Sequence, residues 1–222
     1  MSAAEIAQVT LLTLRVGAVA TLCVLPFAVA LAWWLARGRV PGQSLVRAIV
    51  ALPMVLPPVA VGLALLWLLG RRGPFGGLWE ALGVELVFTW WAAALAAAVV
   101  GFPLLCRASE QAFADVDARY EQVARTLGLS RLGAFFRVTL PLARRGVLYG
   151  TLLAFTRALG EFGATALVAG ILPGRTETLA LGIYSRVLLG DDRAALVLCG
   201  ISFAIGLVAM WAAERWLRRE AS

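Results

Sequence analysis

A chain of 222 residues that is 61% hydrophobic, with a mean hydropathy of +0.86, is too apolar for an ordinary soluble domain. Its net charge of +7 comes from Arg alone, because it contains no Lys and no His. Those two absences exclude a phosphate-binding loop of the G-x-x-x-x-G-K-[ST] type, the commonest zinc sites and His-based acid–base catalysis.

Five apolar stretches approach the roughly 20 residues that cross a bilayer. The first, 9–35, is too long for a signal-peptide core and has no basic segment before it, so it is expected to stay in the mature protein. The second, 48–69, contains Leu52-Pro53-Met54-Val55-Leu56-Pro57-Pro58, dense enough in Pro to force a kink or a local unwinding. Such a break serves either packing alone or a transport pathway. The third covers 86–106 and holds Pro103. Beyond a central polar block come 147–169 and 194–216. Between those two, 179–189 carries Arg186 and is short for a span; it reads as a re-entrant or surface helix, with a sixth span as the alternative. The fold class is therefore an all-α integral membrane protein. We expect one transmembrane domain over 1–222, with about five spanning helices and six possible.

The polar block, 107–145, holds Arg107, Arg119, Arg125, Arg131, Arg137, Arg144 and Arg145 together with Glu110, Asp115, Asp117 and Glu121. Within it Phe113, Val116, Tyr120, Val123 and Leu127 recur at steps of three and four, which predicts one apolar helix face. Gly128 is expected to turn the chain with a positive φ, Ser130 to cap a second short helix, and Pro141 to end it. A helix–turn–helix on one side of a bilayer offers a docking surface to a soluble partner. Phe113, Tyr120, Leu132, Phe135 and Phe136 supply the element's own core plus a groove-filling contact. Nucleic acid is not an expected partner, since Asp115, Asp117 and Glu121 interleave with the Arg and both ends are tethered to spans.

Arg placement orients the chain. Arg37, Arg39 and Arg47, the seven of the central block, and Arg215, Arg218 and Arg219 fall in one set of loops and ends. Arg71, Arg72, Arg175, Arg186 and Arg193 fall in the other. The thirteen-to-five split puts the central block and the C-terminus in the cytoplasm and the N-terminus outside. Arg15 and Arg157 lie inside spans. Arg157 and Glu161, four apart, share a helix face: they form either a self-neutralising pair that fixes packing, or a cation for an anion path held by its carboxylate. Gly160, Gly163 and Ala164 permit close helix approach, expected at a subunit contact, and Thr165 follows as a further pathway or packing candidate. Cys23, Cys106 and Cys199 are far apart in apolar surroundings and read as packing residues rather than a disulfide or metal site.

The stretch from Glu121 to Pro141 resembles the coupling loop of ABC importer permeases, whose pattern runs E-A-A, three residues, Gly, nine residues, Ile, any residue, Leu-Pro. Here Gly128 is followed after nine residues by Val138-Thr139-Leu140-Pro141. Ala124 matches the last Ala, and Glu121 stands one position before the family's Glu. Arg71-Arg72-Gly73, the Pro-rich run and Arg157-Ala158-Leu159-Gly160-Glu161-Phe162-Gly163-Ala164-Thr165 are similar to the molybdate subgroup, and the short length favours it over sulfate permeases. The resemblance implies a molybdate permease in a bacterial or archaeal cytoplasmic membrane, with a sulfate or tungstate permease as the alternative. It implies a homodimer, a separate ABC ATPase subunit that hydrolyses ATP, an extracytoplasmic oxyanion-binding protein, and no cofactor or metal. Glu121, Ala124, Arg125, Gly128, Phe135, Phe136, Leu140 and Pro141 would form the ATPase-coupling loop. A membrane enzyme or scaffold is the remote alternative; the chain lacks the His, Lys or clustered carboxylates that catalysis would use.

Overall fold

The computed structural model describes residues 1–38 and 41–219, with the side chains at 213 and 216–219 left aside. Arg39 therefore lies outside the described residues, as do the side chains of Arg218 and Arg219. Helix α1, Ala3–Arg37, opens on a reciprocal cap in which the Ser2 hydroxyl accepts from the Glu5 N–H and the Glu5 carboxylate accepts from the Ser2 N–H. Its 35 residues make a rod of about 52 Å. The buried face is lined mainly by small or β-branched residues, among them Val16, Gly17, Ala20, Ala28 and Ala32.

That face meets α5, Trp90–Ala114, whose Ala92, Ala93, Ala96 and Ala97 are almost wholly buried. Helix α8, Leu140–Leu159, closes the core. A Cβ on Gly146 would lie 2.3 Å from the Ala112 methyl, and one on Gly150 2.8 Å from the Ala108 methyl. These glycines let the α5 and α8 backbones approach as small residues do between membrane helices.

The second apolar stretch is two helices, α2 Gln43–Val55 and α3 Pro58–Leu69, bent by 109°. Leu56 is extended because it precedes Pro57, and Pro58 takes the first position of α3, where no backbone donor is missed. A six-residue helix, α4 Gly76–Ala81, follows. Helix α5 starts later than the expected span, after a Thr89 cap, and runs on through Arg107 and Glu110 to Ala114.

The expected single span over 147–169 requires correction. Helix α8 stops at Gly160, and α9, Gly163–Val168, begins after a break. The Glu161 side chain causes the restart: its Oε1 accepts from the Ala164 N–H at 2.8 Å. Gly163 and Ala164, expected at a subunit contact, pack instead on α3 of the same chain. A Cβ on Gly163 would lie 2.8 Å from Pro58 Cβ, and one on Gly62 2.7 Å from Ala164 Cα.

Pro141 also does not end the helix it follows. Helix α7, Arg131–Ala134, passes through a π-helical turn, Phe135–Thr139, directly into α8. The wide turn, with the Leu140 N–H bonded to Phe135 O, brings Pro141 into the first turn of α8 without an α-helical partner to lose. Helix α10, Leu179–Leu188, is anchored by the Leu179 N–H on Thr13 Oγ1 at 2.8 Å, with Leu181 buried and Val187 and Leu188 exposed. Its ten residues reach only about 15 Å, too little to span. Helix α11, Asp192–Arg219, returns as the last long apolar helix. The three cysteines are free.

The α3–α9 contact yields a test. Gly62→Val must push against Ala164 backbone and is expected to lose about 1–3 kcal/mol of stability. Gly160→Ala meets open space at a negative φ of −93° and is expected to change stability by less than about 0.5 kcal/mol. Thermal unfolding of both variants in lipid nanodiscs checks the pair; equal melting would contradict the packing account.

Candidate functional site

The polar block separates into the end of α5, helix α6 Ala118–Thr126, α7 with its π-turn, and the start of α8. Asp117 caps α6 by accepting from the Arg119 N–H, and Ser130 caps α7 by accepting from the Gly133 N–H. Gly128 joins the two with φ +93°, the left-handed conformation that favours Gly.

The expected continuous apolar face is split by the break at 115–117. Phe113 ends up in α5 and, with Val116, is buried, while Tyr120, Val123 and Leu127 are 57–80% exposed. In α6 it is Ala124 that is buried. Leu132 and Phe136, one turn apart, continue the exposed apolar surface, whereas Phe135 turns inward. The Phe135 ring lies 5.7 Å from Phe113 and 4.7 Å from Trp33 by centroids. Of the five residues expected to supply the element's core and an outward contact, Phe113 and Phe135 form the core pair, and Tyr120, Leu132 and Phe136 face outward. Arg125 and Pro141 are exposed and Leu140 is half-buried.

Glu121 is the centre of this element. Its Oε1 accepts from Thr139 Oγ1 at 2.5 Å, Arg37 Nε at 3.1 Å and Trp33 Nε1 at 3.3 Å. One carboxylate therefore ties the end of α1, helix α6 and the π-turn together. Burial alone would raise its pKa, but the bonds from Thr139, Trp33 and Arg37 and the Arg37 charge outweigh burial and hold it below the usual value of 4.5. A second latch lies beside it: Arg47 Nε donates to Glu110 at 2.6 Å and Arg47 Nη2 to Leu35 O at 3.0 Å. Trp33, Arg37, Arg47 and Thr139 carry no local spacing that links them to position 110 or 121, so only the folded chain reveals them.

Deeper in the bundle, Arg157 Nη2 lies 2.9 Å from Glu161 Oε2. The two do not share a continuous helix, since Glu161 stands in the α8–α9 break, yet the pair forms. Glu161 is almost wholly buried, while the Arg157 side chain is 34% exposed. Thr165 and Gly163 are buried against the rest of the chain, and Gly160 faces open space. Among the described residues no group of His, Cys, Asp and Glu is placed to hold a metal ion.

Because the folded pKa of Glu121 is depressed, its contribution to stability is present above its unfolded value of 4.5 and is lost as pH falls through the lower folded value. Glu121→Ala leaves Arg37 unpaired and half-enclosed and is expected to destabilise the α6–π-turn element by about 3 kcal/mol at neutral pH. Hydrogen exchange of the α6 amides measures this, and unchanged protection in the variant would contradict it.

Residues 25–221 match the family described as "Binding-protein-dependent transport system inner membrane component". The molybdenum transport system permease protein ModB of Escherichia coli (strain K12) is 44% identical over 214 residues, covering 96% of this chain and 93% of that one. The sulfate transport system permease protein CysW of Synechococcus elongatus is 37% identical, over 86% of this chain and 68% of that one. In structure, a chain of the MetNI methionine ABC transporter, solved in inward-facing conformations, matches with TM-score 0.69 and 19% identity across 99% of both chains, a likeness of fold. The chain belongs to the inner membrane components of binding-protein-dependent transport systems.

Proposed function

We propose that this chain is the permease of a molybdate ABC importer, working as a homodimer. The end-to-end likeness to the E. coli molybdenum permease carries the choice of anion. Membership of the family makes the chain a transport component rather than an enzyme, with ATP hydrolysis on a separate subunit and substrate delivered by a binding protein. Sulfate is the second reading, favoured by the likeness to the S. elongatus sulfate permease.

In this reading the outward residues Tyr120, Val123, Leu127, Leu132 and Phe136 seat in a groove of the ATPase. Arg125 and Arg131 flank a groove of about 450 Å³ beside them. Glu121 and Ala124 hold α6 against the membrane helices, and Phe135, Leu140 and Pro141 carry its movement into α8. Arg157, held by the buried Glu161, presents a cation toward the path while Gly160, Gly163 and Thr165 shape the break that lets α8 and α9 move separately. A second copy fits the open face of α11, where only 11% of the membrane stretch is buried within the chain. The N-terminus lies outside and the α6–α7 element in the cytoplasm, as the Arg distribution requires. The partner ATPase must bind the inward- and outward-open states with different free energy, because equal binding shifts neither.

Proteoliposomes holding the permease with its ATPase and binding protein test this. We expect ATP-dependent uptake of radioactive molybdate, competed more strongly by tungstate than by sulfate. Gly128→Val strains the left-handed turn without a steric neighbour and is expected to lower uptake at least about tenfold while ATP hydrolysis persists. Preferential sulfate uptake would establish the second reading, and uptake without the ATPase would overturn both.

A further inference from the structure

At the end of the bundle opposite α6 and α7, a cleft of about 920 Å³ opens between the first turns of α1, the start of α5 and the turn at 174–175. Two guanidiniums line it, Arg15 and Arg175, and among the described residues no carboxylate does. Among the described residues neither side chain has an ion-pair partner. An unpaired Arg in an apolar helix is costly and marks a binding role more often than a structural one.

The cleft is also built, not merely basic. Arg15 lies over the Trp90 ring with its guanidinium carbon 3.9 Å from the centroid. Such stacking fixes the guanidinium plane and leaves its in-plane N–H donors free. Gln8, seven residues before Arg15 and hence on the same helix face, donates Nε2 to Gly174 O at 3.2 Å. That bond holds the turn carrying Arg175 against α1. Gly174 takes φ +73° there, a left-handed turn that favours Gly, and the next residue, Arg175, lines the cleft. Trp91 closes one side, its ring 3.9 Å from Trp90 by centroids.

We infer that this cleft binds a tetrahedral oxyanion between Arg15 and Arg175, ahead of the path itself. Two fork-shaped donors without a competing carboxylate match a small dianion, and low-dielectric walls of Leu11, Leu12 and Trp91 focus their field. The same chemistry suits the transported anion and the phosphate of a lipid headgroup. For the transported anion the site is a station between binding protein and path, and this deepens the importer reading and rests on it.

The experiment uses the assembled transporter in nanodiscs of phosphatidylcholine with and without phosphatidylglycerol. Equilibrium binding of radioactive molybdate, tungstate and sulfate is measured, together with phosphatidylglycerol retained on purification, for wild type, Arg15→Gln, Arg175→Gln and Arg15→Lys. Co-purification of the ATPase confirms assembly, and Arg175→Gln, on an exposed turn, keeps the test open should Arg15→Gln fail to assemble. We expect each Gln variant to lower anion binding at least about tenfold, as loss of one charge-assisted contact does, and Arg15→Lys to restore part of it. A drop confined to phosphatidylglycerol retention identifies the headgroup as the occupant of the same site. Anion binding and lipid retention both unchanged in the Gln variants overturn the site. Wild type that binds these anions in nanodiscs but accumulates no molybdate in proteoliposomes overturns the importer reading and leaves the cleft standing.

Discussion

One carboxylate holds the proposed docking element, α6 with α7, against the membrane helices. Glu121 receives donors from Trp33 and Arg37 on α1 and from Thr139 in the π-turn, so three segments far apart in sequence share a single acceptor. Removing it would leave a half-buried Arg37 and two unsatisfied donors, and that asymmetry makes such a node hard to loosen piecemeal. The exposed residues of α6 and α7 therefore sit on a rigid base. In the proposed importer, force applied to Tyr120 or Phe136 would reach α1 through the Arg37–Glu121 contact and α8 through the π-turn.

The membrane part follows a different rule. Alanines of α5 and glycines of α8 allow backbones to approach within contact that larger side chains would forbid, and Gly62 and Ala164 repeat the device between α3 and α9. Without a hydrophobic drive between helices in lipid, close packing of this kind supplies much of the association energy. Both pairs of broken helices, α2–α3 and α8–α9, converge on the α3–α9 contact. Irregular backbone at membrane depth survives only where protein covers it or water reaches it, and here Pro57, Pro58 and the Glu161 cap satisfy the breaks.

Much of this was legible in the chain itself. The Pro-dense break after Leu56, the Gly128 turn and the Ser130 cap depend on local chemistry, and each stands where its residues require. Two boundaries escaped because a local rule lost to a tertiary one. Pro141 reads as a stop signal, yet a π-turn absorbs its missing donor; Glu161 reads as a mid-helix charge, yet it restarts a helix. The periodic stripe from Phe113 to Leu127 was real as a pattern but is shared between two helices, so burial divides it. Glu121 was visible as an acid among the Arg of the polar block and as a position out of register with a family pattern, not as a node. Its partners at 33, 37 and 139 could be found only by folding the chain, since no spacing connects them.

The central claim is that α6 moves as one body with the end of α1. Spin labels at Gln122 and Ala30, both exposed, in the assembled transporter with exposed Cys23 and Cys199 replaced by Ser, report the distance between the two helices directly. With and without bound ATP the account predicts one narrow, unchanged distance, broadening when Glu121 is replaced by Ala. A wild-type distance that shifts or splits on ATP binding would contradict it.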